Sequence, residues 1–130
     1  MLIQALLATG CGAFLGACLR YLFGVWLNPL FPTIPLGTLA ANLLGGLLMG
    51  LILGAFGQFQ SLAPETRVFI TTGFLGGLTT FSTFSGEVVT LLLRQQYGWT
   101  AATVGMHLIG TLGMTLLGFA MMQALLRHFA

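Results

Sequence analysis

Lysine and aspartate are both absent from this 130-residue chain, and the charge that remains is four arginines and two glutamates. So little charge excludes a soluble domain of this length, whose surface needs roughly a quarter of its residues charged to stay in water. Cysteine is scarce too. Cys11 and Cys18 lie seven apart on one helix face, about two turns from each other, too far to bridge within the chain; they read as small core thiols without metal or redox chemistry. Proline occurs four times. Pro29, Pro32 and Pro35 crowd one connection, and Pro64 precedes a later apolar stretch, where no helix interior is interrupted.

What the chain does contain is apolar bulk: 57% of residues are hydrophobic and the mean hydropathy is +1.00. A bilayer core of roughly 30 Å needs about 20 apolar helical residues. The gaps between charges mark four such stretches, so the expected fold is an all-α integral membrane protein with helices over roughly 2–27, 37–57, 66–94 and 99–127, a single domain spanning 1–130. Four crossings put both chain ends on one side. The first stretch also invites a signal-peptide reading, but it is too long, lacks a basic start and has no small-residue cleavage site before a polar domain. It is expected to remain as a helix.

Arginine bias normally orients a membrane chain. Here Arg67 and Arg127 fall towards one side and Arg20 and Arg94 towards the other. Such balance suits a chain that inserts both ways, as in an antiparallel dimer, or one oriented by the insertion machinery or a partner. Glycine allows close packing: Gly46, Gly50 and Gly54 recur every four residues, and Gly12 with Gly16 repeats the spacing. These faces suit contacts between subunits and contacts within one chain equally.

Polar groups inside hydrocarbon are costly and usually face a cavity or one another. Asn42 is the strong hydrogen-bonding residue of the second stretch; His107, Thr111 and Thr115 share one face of the fourth at i, i+4, i+8. The third holds the unusual run GFLGGLTTFSTFS, residues 73–85, and seven serines and threonines lie between Thr71 and Ser85. Gly76 and Gly77 weaken a helix, and Thr79, Thr80, Ser82 and Thr83 compete with the backbone for hydrogen bonds, so a break is expected there. Its freed carbonyls suit a cation at the negative end of the preceding half-helix. Phe81 and Phe84 read either as packing residues or as ring edges that a small anion approaches. With the hydroxyls around them, they describe a narrow polar path for an anion that sheds part of its water.

The run GFLGGLTTFSTFS, Asn42 in a glycine-rich second stretch and Arg20 at the end of the first together resemble the Fluc (CrcB) family of fluoride channels, over essentially the whole chain. The resemblance implies an antiparallel, dual-topology homodimer in a bacterial inner membrane, with two pores each lined by both chains. It implies a structural sodium ion at the dimer centre, held by the backbone carbonyls of Gly76 and Thr79 from each chain. Phe81 and Phe84 would flank each pore, Asn42 would hydrogen-bond the permeating ion, and Ser82, Thr83, His107, Thr111 and Thr115 would line the route. Arg20 would draw anions into an aqueous vestibule that Glu87 borders. The implied function is passive export of fluoride trapped in the cell as the anion, with no enzymatic step.

Two other classes fit the length. A small proton-coupled multidrug exporter needs a membrane-embedded carboxylate, placed in the first helix in the small multidrug resistance family; this first helix has none, and Glu87 lies towards the end of the third stretch. A structural subunit of a membrane complex accounts for the glycines and leaves the polar track idle. Neither a phosphate-binding loop, a metal-ligand cluster nor a catalytic triad is present, and no nucleic-acid partner is expected.

Overall fold

Leucine- and alanine-rich stretches satisfy their own backbone as helices, and the computed structural model, which describes all 130 residues, contains helices and turns and no strand. Three helices are long and apolar enough to cross a membrane: α1 (Leu2–Leu27), α2 (Leu36–Gly54) and the last helix, Tyr97–His128. Between α2 and that last helix lie α3 (Phe56–Gln60), α4 (Pro64–Val68), a π-helical run Phe69–Leu75, α5 (Gly76–Leu78) and α6 (Phe81–Leu93), making the last helix α7. Only 19 of the 130 residues are buried, while Leu2, Phe14, Tyr21, Ile109 and Leu116 stand exposed on α1 and α7. An apolar surface of this extent needs lipid or more protein against it.

The proline-rich connection is tied at its ends. Asn28 Oδ1 accepts the Gly37 N–H at 2.7 Å, which gives one of the free donors in the first turn of α2 a partner. At the other end of α2, Gln123 of α7 donates to the Gly54 carbonyl at 2.7 Å. Pro64 opens α4 with Glu65 in the first turn, where proline lacks no needed donor and a carboxylate suits the positive helix end. Gln95, at φ 59°, turns the chain sharply between α6 and α7.

The glycine faces pack within the chain. A methyl group on Gly12 or Gly16 would collide with the carbonyls of Phe69 or Phe74, so α1 lies directly on the π-helical run and α5. Gly50 likewise admits the Thr115 carbonyl, and Gly118 admits that of Leu47, which seats α2 along α7. The spacing therefore serves contacts within the chain: Gly12, Gly16, Gly46, Gly50 and Gly54 all face other helices of the same copy. Cys11 and Cys18 are free and exposed on α1, not core thiols. Seven residues apart, they share a face that packs on nothing in the chain.

The break falls within the expected stretch, at its threonines and not at its glycines, whereas the π-helical run before it was not expected from the residues. Gly76 and Gly77 remain helical, and Gly77 is needed because a side chain there would strike Ala13 of α1. The chain leaves helical geometry at Thr79 (φ −85°, ψ 155°) and Thr80 (φ −149°, ψ 121°) instead. It re-enters at Phe81 because the Thr80 hydroxyl accepts the Thr83 N–H at 3.1 Å, an N-cap worth about 1 kcal/mol.

Candidate functional site

Three parts of the chain meet beside this break: the middle of α2, the residues around Thr79 and Thr80, and the middle of α7. They enclose a cleft of about 510 Å³ lined by Asn42, Gly76, Thr79, Phe81, Phe84, His107, Thr111 and Thr115 among others. Gly45 and Gly46 shape its wall. A side chain on Gly45 would collide with the Thr79 methyl, and one on Gly46 would press on Thr111 and Thr115.

Asn42 holds the centre. Its Oδ1 accepts the Thr80 N–H at 2.8 Å and its Nδ2 donates to the Thr80 carbonyl at 3.0 Å. The second hydrogen of Nδ2 points to His107 Nδ1, at 3.0 Å. A continuous helix would give the Thr80 N–H to the Gly76 carbonyl; Asn42 takes it, so that carbonyl loses its helical partner. Leu75 O is already occupied, accepting the Thr79 N–H at 3.0 Å and the Thr79 hydroxyl at 2.8 Å.

His107 is 3% exposed, and its Nε2 is buried without a partner. Its ring lies against Phe84, with centroids 4.6 Å apart and planes tilted 36°. Phe84 in turn meets Phe81 edge-on, centroids 5.4 Å apart. The two rings differ in setting: Phe84 is 6% exposed and Phe81, at the rim, 73%. Thr115 returns its hydroxyl to the Thr111 carbonyl at 3.0 Å. The Thr111 hydroxyl makes no such bond.

The remaining expected site residues lie elsewhere. Arg20 and Thr83 line a second pocket of about 320 Å³ with Asn28 and Thr38. Arg20 Nε donates to the Gly77 carbonyl at 3.1 Å, where a cation offsets the negative end of the half-helix. Glu87 lies beside Thr38, with Oε2 buried and unpartnered. Ser82 is exposed and meets the Thr80 hydroxyl at 3.3 Å, facing neither pocket. Thr80 itself was missed as a site residue, although a threonine three before Thr83 at a helix start is a legible cap. Its pairing with Asn42, 38 positions away, left no mark in the sequence.

The sequence profile described as "CrcB-like protein, Camphor Resistance (CrcB)" matches residues 7–119. This chain belongs to the CrcB family. Among curated CrcB relatives, the "Fluoride-specific ion channel FluC" of Nitrosospira multiformis is 59% identical over 97% of this chain and 98% of its own. The protein of the same name from Tolumonas auensis is 52% identical over 97% and 99%, and that of Pseudomonas aeruginosa is 50% identical over 95% and 97%. The CrcB likeness thus runs through α1, the break and α7 alike.

Proposed function

We propose that this chain is a fluoride channel, conducting the ion passively and catalysing no reaction. The observation that carries this reading is the cleft itself: Asn42, Phe81, Phe84, His107, Thr111 and Thr115 reach one space from three parts of the chain. Relatives named as fluoride-specific channels align along nearly its whole length. No formally charged side chain lines the cleft. What it offers an anion is partial charge: the Thr111 hydroxyl, the imidazole of His107 and the ring edges of Phe81 and Phe84. Weak donors in series let a small anion shed water without being held, which conduction requires.

The fuller assembly belongs to the same proposal. The segment from α4 through α6 makes a fourth crossing with its break at membrane depth, so both chain ends lie on one side of a bacterial inner membrane. A second, antiparallel copy covers the exposed apolar faces and closes two pores. The balanced arginines support that arrangement. Arg20, with Thr83 in the second pocket, concentrates anions at the mouth.

The residues also fit a sodium ion at the centre of such a dimer. The Thr80 N–H goes to Asn42, which leaves the Gly76 carbonyl free at the negative end of a half-helix, and Thr79 turns extended beside it. Hard carbonyl oxygens suit a hard cation, which would join the two copies. The test of the function is fluoride efflux from liposomes holding the purified chain alone. Electrodiffusive efflux without a proton gradient or a second protein is expected; its absence from correctly folded protein would sink the reading.

A further inference from the structure

We infer that Asn42 is a positioning residue, which holds the break in register and dictates the tautomer of His107. The inference deepens the channel reading and rests on it for its purpose. The amide orientation of Asn42 follows from the backbone it meets: Thr80 N–H can only donate and Thr80 C=O can only accept, so Oδ1 faces the first and Nδ2 the second. Both bonds, at 2.8 Å and 3.0 Å, go to one residue, an arrangement that fixes Thr80 in position and orientation together. Thr80 precedes Phe81 directly and caps the helix that carries Phe84, so the placement of both rings follows from this pair.

The remaining Nδ2 hydrogen meets His107 Nδ1 at 3.0 Å, and that nitrogen must therefore accept. A neutral imidazole that accepts at Nδ1 carries its proton at Nε2. Nε2 is the buried atom without a partner, on a ring that lines the cleft against Phe84. Asn42 thus turns one imidazole N–H into a free donor. The hydrogens of its own amide are both spent within the chain.

The experiment uses full-length protein in lipid bilayers without fluoride, with nitrogen-15 histidine in a His128→Gln background so that one imidazole is observed. His107 is expected to show a bare Nδ1 and a protonated Nε2, and the Thr80 amide hydrogen to exchange slowly. In Asn42→Ala, exchange at Thr80 should accelerate about tenfold or more, and the preference for the Nε2 proton should relax. In His107→Leu, which leaves both Asn42–Thr80 bonds intact, Thr80 should stay protected. General loosening of the site would expose Thr80 in both variants and overturn the assignment. Should Asn42→Ala fail to fold, the parent protein still decides: a proton on Nδ1, or a Thr80 amide exchanging freely, overturns it. Addition of fluoride should leave the Asn42 amide signals unmoved, and a fluoride-dependent shift would make Asn42 an ion contact instead. None of the first readouts contains fluoride, so their failure is separate from failure of liposome efflux.

Discussion

Phe81 and Phe84 share a motif and an edge-on contact but not a setting, and that difference decides which one tests conduction. Phe81 is largely exposed, so Phe81→Ile should change the stability of the chain by no more than about 0.5 kcal/mol. If its ring edge meets the ion, flux per folded protein should nevertheless fall about tenfold or more, since each 1.4 kcal/mol of lost stabilisation is roughly a factor of ten. A fluoride electrode on proteoliposomes, read against a thermal melt, checks both halves. Unchanged flux would return Phe81 to a packing role. Phe84→Ile should additionally lose about 1 kcal/mol of stability, because Phe84 is buried against His107.

Helices in this chain touch through glycine, and the contacts discriminate sharply among glycines of one element. On α1, a methyl group at Gly16 would run into the Phe74 carbonyl, while one at Gly10 would meet nothing within 4 Å. Gly16→Ala should therefore destabilise by about 3 kcal/mol or fail to accumulate, and Gly10→Ala should be neutral or gain up to about 1 kcal/mol of helix propensity. Unfolding in detergent measures the pair. Equal behaviour of the two would show that α1 does not rest on the π-helical run. The start of α6 has its own test: Thr80→Ala removes the cap on the Thr83 N–H and should cost about 1 kcal/mol, seen as faster amide exchange at Thr83.

For the molecule as a whole, the uncovered apolar surface and the balanced arginines lead to two expectations. A reporter fused to the C-terminus should be found on both sides of the membrane, and one lysine added beside Arg127 should bias it to one side. Reporters on one side only, in the unaltered chain, would exclude dual insertion. Replacing sodium by a large organic cation should reduce both the dimer population and the flux, with sedimentation in detergent as the measure. A dimer and flux indifferent to sodium would remove the ion from the carbonyls of Gly76 and Thr79.

Composition by itself determined that this chain is helical and apolar, because backbone groups in lipid must pair locally and long charge-free leucine runs do so only as helices. The i, i+4, i+8 spacing likewise put His107, Thr111 and Thr115 on one face, since helix geometry alone sets which residues align. Hydroxyls and glycines from 76 to 83 signalled an interruption through their competition with the helix backbone. Only the tertiary structure decided that the glycines stay helical while Thr79 and Thr80 open. The difference is steric and long-range: α1 lies so close at Ala13 that a side chain on Gly77 would strike it, and the unpaired backbone of Thr80 is taken by Asn42 from α2. The same holds for the partner of each glycine face and for the meeting of Asn42 with His107. Those depend on how far one helix slides along another, and local periodicity, which fixes the face a residue occupies, does not encode that displacement.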